Sequence, residues 1–440
     1  MRLYEIANLL GATATANPVI DHLVTDNKEV KPGDLYLALK GKRYDGNCFS
    51  KDAEKRGAFV LGKECSKGIK TEDTASSLLT LAEYYKSKLR DLKKTVAITG
   101  SVGKTTTKEF LKVLLSTQYK TEGTPGNLNN LIGLPLTVLS TQADCEALIL
   151  EMGMNAPGEI EKLSLCARPD LAVITKIGTS HIGNLGSREA IAKAKLEVKR
   201  GLNGQLIVPL GENLLEGDIT FSNSSPDADV FLTQSNSEVT VHERSGNTYN
   251  CIFSIKGRHV LECLAAAVCA ARACGITEEN IKAGVSYISP EILRQKVTKL
   301  GNIVFIEDYY NSSPESVEAG LDYLCGLAGY SVKSVLLGDI LELGTMSKEI
   351  HRRLGALLAS SGLTHLYLFG EQMLHAKDGA IEAGFPEERI FYNSDLSRPD
   401  ITAKAVLEST KKGEIIFCKG SRGVRLERIM EYIKVNEDKI

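Results

Sequence analysis

Short, wholly apolar runs recur along the chain, and most are followed by glycine or polar residues and then by a stretch with helical spacing. "TVAIT" leads to Gly100, "ALIL" to Glu151, "LAVIT" towards His181, "IVFIE" to Asp308, "SVLLG" to Asp339 and "EIIFC" to Lys419. A strand that is apolar on both sides is covered on both sides, as in parallel sheets flanked by helices. The pattern predicts an α/β protein. In such sheets ligands sit beyond the carboxyl ends of the strands, and here each predicted strand ends at a residue able to do chemistry. One stretch departs from the pattern. "SNSSPDADVFLTQSNSEVTVHERSGNTYN" is polar with alternating segments and reads as hairpins and loops on a rim.

With 440 residues the chain has length for roughly three domains of about 150 each. Residues 1–82 contain "VKPGDLYLALKG" and "AEKRGAFVL", a small α/β unit; residues 83–295 carry a Gly-Lys loop; residues 296–440 carry a second set of parallel strands. No solenoid-type repeat is visible.

Composition narrows the function classes. Hydrophobic residues make up 43% and charged residues 25%, an ordinary globular balance. The formal net charge of -2 gives no electrostatic reason to expect a nucleic acid or an anionic membrane as partner. "MRLYEIANLL" carries Glu5 and Asn8 inside its apolar run and is not a signal-peptide core. No stretch approaches the ~20 apolar residues of a membrane span, so no membrane insertion is expected. The ten cysteines include no C-x-x-C pair, and Cys263, Cys269 and Cys274 fall in an Ala-rich helical stretch as small core residues. A reducing cytoplasm fits this usage.

"AITGSVGKTTTKEF" (97–110) joins a buried strand to a helix through Gly100, Ser101, Val102 and Gly103. Unpaired N–H groups at a helix start favour an anion. Lys104 suits β- and γ-phosphate charge, Thr105 a magnesium ion, and Thr106 continues the loop into the helix. The strict phosphate-loop pattern has a glycine where Ile98 stands, so the loop is a short variant; its alternative is a purely structural turn. Glu151, at a strand end, reads either as the acidic magnesium partner of such a loop or as an ordinary exposed terminus. His181, in a Gly/Ser-rich loop, is a candidate ligand or a structural histidine. Asn127, Asn129 and Asn130 with Gly126 and Gly133 form a binding loop or a polar capping turn. Asp308, Tyr310 and Asn311 suit a ribose or a base edge, with turn chemistry as the competitor. Lys419, Ser421 and Arg422 suit a carboxylate or phosphate.

Together these segments resemble the Mur ligases of peptidoglycan synthesis. "TDNKEVKPGDLYLALKGKRYDG", "TGSVGKTTTKE", "GNLNNLIGLPLT", "EMGMNAPGEI", "SHIGNLGSREAIAKAK", "GRH", "EDYYNSSPESV", "LGDILELG" and "KGSRG" occur in family order over almost the whole chain. The resemblance implies three domains: a small N-terminal α/β domain for UDP, a central P-loop ATPase domain with a parallel sheet, and a C-terminal Rossmann-like domain. It implies an ATP-dependent amide ligase acting through an acyl phosphate. "GNLNNLIGLP" and "YYNSSPES" favour the branch that joins D-Ala-D-Ala to UDP-MurNAc-tripeptide. It further implies two Mg²⁺ sites, one held by Thr105 and Glu151, the other involving His181 and a carbamylated lysine at Lys195 rather than Lys193. It places adenine near Asn311 and Arg294, ribose near Asp308, UDP around Asp26, Asn27 and Gly46, and substrate near Tyr310 and the Asn-rich loop. A monomer is the expected form.

The sequence departs from the family pattern at three places. Asp26-Asn27-Lys28 replaces the usual Asp-Ser/Thr-Arg, Val260 and Cys263 stand where asparagines are usual after "GRH", and Leu293 precedes Arg294 in place of glycine. Two rival readings are another amide ligase of this type, including folylpolyglutamate and cyanophycin enzymes, and a nucleotide-binding regulator without turnover.

Overall fold

The structure is a computed structural model and describes residues 1–41, 44–293, 296–309 and 311–436. Among these residues the strands form three sheets, of four, nine and six strands.

The first sheet contains β1 (Leu23–Val24), β2 (Leu35–Leu37), β3 (Phe59–Gly62) and β4 (Gly68–Lys70), parallel and in chain order. Leu35, Leu37, Leu61 and Ile69 bury one face of it against Leu3, Ile6 and the helix Thr74–Lys86. Asp73 caps that helix by accepting from the Ser76 N–H. The helix runs across residue 82, and Ile132, Leu136 and Leu139 of the following sheet's layer pack on the same core. The first sheet is thereby seated on the helix that follows the Asn-rich loop.

The second sheet contains β5 (Lys94–Thr99), β6 (Thr121–Gly123), β7 (Ala147–Glu151), β8 (Leu171–Ile174), β9 (Gln205–Pro209), β10 (Ile219–Ser222), β11 (Val230–Ser235), β12 (Glu238–Glu243) and β13 (Thr248–Ile252). Their order is β13-β12-β11-β10-β9-β8-β5-β7-β6, parallel except where β12 and β13 add an antiparallel meander. That meander is the polar, alternating stretch: in β13 Tyr249 and Cys251 point inward and their neighbours outward. In contrast β7 and β8 are buried at every position, as their apolar runs require. The helix Arg258–Ala273 packs beneath, and Cys263, Cys269 and Cys274 are buried free thiols in its core.

The third sheet contains β14 (Lys296–Leu300), β15 (Ile303–Asp308), β16 (Val332–Gly338), β17 (Leu366–Phe369), β18 (Ile390–Asn393) and β19 (Glu414–Lys419), ordered β14-β15-β19-β16-β17-β18. Only β14 is antiparallel to its neighbour. One apolar cluster runs from Leu148 and Ile174 to Ile306 and Phe417 and joins this layer to the second. Among the described residues, no helix is long and apolar enough to cross a membrane.

Candidate active site

In the second sheet β5 lies between β7 and β8. The chain leaves β5 for one side and later returns to the other, the switch point at which α/β sheets open a crevice. Register sets Ile98 opposite Glu151 and Thr99 opposite Ile174. The loop 100–103, Glu151 and the segment leading to His181 therefore emerge side by side.

The loop between β5 and the helix Lys104–Leu115 is fixed by sterics. Gly103 has φ +85°, and a Cβ there would lie 2.9 Å from Cys263 Sγ. Gly100 has φ +142°, and a Cβ would come within 2.1 Å of Thr175 Oγ1. Thr175 Oγ1 donates to the Val102 carbonyl at 2.6 Å and holds the loop from below. The helix is anchored by Phe110, Leu111, Leu114 and Leu115, all fully buried. Its first N–H groups have no intrahelical acceptor. Lys104 Nζ folds back to donate to the carbonyls of Gly100, at 2.7 Å, and Ser101, at 3.3 Å. Burial lowers its affinity for a proton, against the pull of Glu151. Ser101 Oγ is buried without a hydrogen-bond partner among the described residues, and Thr106 is half-buried on the first helical turn.

Glu151 is 2% exposed and has both oxygens engaged. Thr105 Oγ1 donates to Oε2 at 2.8 Å and Asn129 Nδ2 to Oε1 at 2.8 Å. Of the asparagine loop, Asn129 thus reaches Glu151 beside the glycine loop, whereas Asn130 Oδ1 accepts from the N–H groups of Ile132 and Gly133 and caps the next helix. Asn127 and Gly126 lie in the turn ahead of them.

His181 adopts a left-handed backbone, φ +66°, and its Nδ1 hydrogen-bonds Glu342 Oε2 at 2.6 Å. Burial holds the imidazole below its ordinary range despite that carboxylate. Lys195 is 2% exposed while Lys193 is exposed. Burial first, and then the Lys104 charge, push the Lys195 ammonium well below its usual range. No hydrogen-bond partner for its Nζ occurs among the described residues, and burial of this kind disfavours the charged form of a lysine.

Across the crevice stand the carboxyl ends of the third sheet. Asp308 and Lys419 are paired in register, and Lys419 Nζ donates to Asp308 Oδ2 at 2.7 Å and to the Asn311 carbonyl at 3.1 Å. Ser421 Oγ accepts from the Leu341 N–H at 2.9 Å, and Arg422 pairs with Glu427 at 3.1 Å. Glu315 accepts from both the N–H and the hydroxyl of Thr179. Between the two layers a cleft of about 530 Å³ is lined by His181, Asn311, Glu342, Ser421 and Arg422, among others. Arg294 and Tyr310 lie outside the described residues.

Asp26, Asn27 and Gly46 form a separate group at the first sheet. Gly46 donates its N–H to the Leu39 carbonyl, and its own carbonyl accepts from the Tyr36 hydroxyl at 3.0 Å. Burial, then the nearby Asp26 and Asp45 carboxylates, raise that phenol's pKa. Asn27 Nδ2 donates to Asp52 at 2.8 Å, and Asp26 accepts from the Lys28 N–H.

Residues 98–271 match the Mur ligase middle domain, and residues 293–422 match the Mur ligase, glutamate ligase domain. The UDP-N-acetylmuramoyl-tripeptide–D-alanyl-D-alanine ligase of Bacillus subtilis is 36% identical, covering 97% of both chains. The chain belongs to the Mur ligase family. The Escherichia coli ligase of the same name is 29% identical over 99% of this chain and 98% of its own. Among solved structures, MurF from Acinetobacter baumannii superposes with a TM-score of 0.83 at 28% identity, covering 98% and 97% of the two chains. MurF ligase from Thermotoga maritima, solved in complex with ADP, gives 0.81 at 27% identity, covering 96% and 99%.

In this Mur ligase several site residues carry no functional assignment from the sequence pattern. Lys108 lies one turn beyond Lys104 and Thr105 on the same helix face, and that spacing is the one signal for it. Cys263, read as a departure, packs under the loop with Sγ 3.8 Å from the Gly103 carbonyl. Glu342 lies within the quoted "LGDILELG", but nothing local ties it to His181, 161 residues away.

Proposed function

We propose that this chain is an ATP-dependent ligase that joins D-Ala-D-Ala to UDP-MurNAc-tripeptide for peptidoglycan synthesis. The observation that carries the reading is the convergence of Lys104, Thr105 and Glu151 at one switch point, facing His181 and Lys195 across the mouth of the same sheet. The γ-phosphoryl group of ATP passes to the C-terminal carboxylate of the tripeptide. The amine of the dipeptide then attacks the acyl carbon, and phosphate leaves with the C–O bond electrons. Both first-step partners are anions, so alignment and positive charge are what the protein must supply.

The loop's own groups suit that work. Among the described residues Lys104 is hydrogen-bonded to two loop carbonyls and can turn to the β- and γ-phosphates. The buried, unpartnered Ser101 hydroxyl offers a donor to the same oxygens. Thr105 and Glu151 supply hard oxygen donors 2.8 Å apart, the ligand type magnesium takes, and they fit a first Mg²⁺ site. Such ions, when bound, would neutralise charge on the transferring phosphoryl group. We assign a second site to His181 and Lys195. The depressed proton affinity of the Lys195 amine fits carbamylation: its nitrogen adds to CO₂, a proton leaves, and an anionic oxygen ligand results.

The remaining roles are divided by unit, 1–82 for UDP around Asp26, Asn27 and Gly46, 83–295 for the ATP phosphates, and 296–440 for the nucleoside and the incoming dipeptide. Asp308 and Asn311 face the nucleoside, while Ser421 and Arg422 face the dipeptide in the cleft. Lys419 orders Asp308 and Asn311 from behind. The chain works as a cytoplasmic monomer. ADP release measured with UDP-MurNAc-tripeptide, with and without D-Ala-D-Ala, tests the activity. Turnover that responds to another amine and not to D-Ala-D-Ala overturns the substrate assignment; nucleotide binding without amine-dependent ADP release overturns the enzyme.

A further inference from the structure

Lys108 is 1% exposed, on the phosphate-loop helix one turn after Thr105. A buried ammonium is costly unless it is paired and hydrogen-bonded. Its Nζ donates to the Thr124 carbonyl at 2.6 Å and stands 3.0 Å from Glu109 Oε1 and 3.9 Å from Glu151 Oε2. Thr124 in turn accepts the Glu151 N–H on its Oγ1 at 2.9 Å. Lys108 therefore clamps the end of β7 to the strand beside it and sets a fixed positive charge behind the very carboxylate oxygen that Thr105 faces.

We propose that Lys108 is a positioning residue acting through Glu151: an internal counter-cation that holds the carboxylate in place before a metal arrives and disfavours capture of a bare divalent cation. The inference rests on the reading of Thr105 and Glu151 as metal ligands. Its sign follows from charge. A fixed cation repels free Mg²⁺ or Mn²⁺, each +2, but does not repel the metal–ADP complex, whose net charge is negative. Metal and nucleotide are thereby made to enter together, and the site stays free of stray cation between turnovers.

The test uses Mn²⁺ as the probe, counted by electron paramagnetic resonance on the full chain, with and without ADP. Lys108→Met is expected to bind bare Mn²⁺ about tenfold more tightly than the parent, while its affinity for Mn·ADP stays within threefold or weakens. Lys108→Arg, which keeps the charge, is expected to match the parent in both. Lys108→Gln, which keeps a donor for the Thr124 carbonyl, carries the test if the methionine variant does not fold. Bare-Mn²⁺ affinity that is unchanged or weaker, or equal tightening for Mn²⁺ and Mn·ADP, overturns the proposal; so does failure of both neutral variants to fold, which makes Lys108 a purely structural lysine. A parent that binds no Mn²⁺ even with ADP removes the metal site itself, a different failure from a parent with the site and an indifferent Lys108→Met.

Discussion

Lysine, hydroxyl and acidic residues crowd the strand ends of both the nine-stranded and the six-stranded sheets, but the two sets are bonded differently. At the second sheet Lys195 has no hydrogen-bond partner among the described residues, the Ser101 hydroxyl is buried unpaired, and Lys104 rests on carbonyls of its own loop. At the third sheet Lys419 is closed onto Asp308 and Asn311, and Ser421 accepts from the Leu341 N–H. Buried polar groups left unpaired cost free energy, so the second sheet's surface is built for something that completes it. At the third sheet Lys419 and Ser421 are closed onto partners and hold a wall of the cleft, while the Ser312 hydroxyl lining that wall is buried without a partner among the described residues. Substitutions should accordingly act on turnover at the first surface and on stability at the second.

The largest effect is expected at Lys104. Lys104→Ala should lower amine-dependent ADP release about 10³-fold, or about 4 kcal/mol of barrier, with the melting temperature kept. Unfolding of that variant instead would return the loop to a structural turn and erase the contrast. Lys195→Ala should follow, with a loss of about 10²-fold or more that added bicarbonate does not rescue, because the amine proposed to take up CO₂ is gone. Normal turnover in that variant would remove Lys195 from the site.

Much of this contrast was legible from the chain and part of it was not. Apolar runs ending in Glu151, Asp308 and Lys419 mark strands whose ends carry chemistry, because only a doubly covered parallel strand tolerates such runs. The polar stretch around 222–250 reads as rim hairpins and folds as the outer meander for the same reason of alternation. Pairings across long separations leave no local trace. Asn130 and Asn129 look alike in sequence, yet one caps a helix and the other holds Glu151, because the loop is tied to the segment after β7 through the Gly153 N–H and the Asn129 carbonyl, a contact between residues far apart in the chain. Lys108 has no local mark of burial either; its partner is the Thr124 carbonyl, just past β6 and 16 residues away.

At the third sheet the effects should shift to stability. Lys419→Met breaks a pair whose lysine is 3% exposed and whose Asp308 side chain is about a third exposed. A loss of about 2 kcal/mol is expected, between the costs of breaking a buried and a surface pair, read as a fall in denaturation midpoint; an unchanged midpoint would show the pair to be incidental. A smaller, pH-dependent effect belongs to His351, which is fully buried and accepts the Ile340 N–H on Nε2. Burial holds its imidazole below the ordinary value of 6.5 against the pull of the Ser347 carbonyl. Below about pH 6.5 the unfolded chain gains a proton that the folded chain does not, so stability falls as pH falls. Between pH 6.5 and 5 the parent should lose more stability than His351→Gln. Equal acid loss in the two proteins would remove His351 as the cause.

The smallest stability effect, and the finest division between the two surfaces, is expected at Arg422. Its side chain is 63% exposed and its bond to Glu427 is a rim pair, worth at most about 0.5 kcal/mol. If the third sheet were scaffold alone, Arg422→Ala would change nothing measurable. Arg422 also lines the cleft with His181 and Glu342, and a guanidinium there has the planar fork that a dipeptide carboxylate matches. The expected outcome is therefore an unchanged melting temperature, an unchanged kcat and a KM for D-Ala-D-Ala raised about tenfold, or about 1.4 kcal/mol. Arg422→Lys should recover part of that loss, because it keeps the charge without the fork. A KM equal to the parent's in Arg422→Ala would leave the third sheet's surface as scaffold and shift recognition of the dipeptide to the groups nearer His181; a raised KM makes Arg422 the point where that surface reaches the substrate.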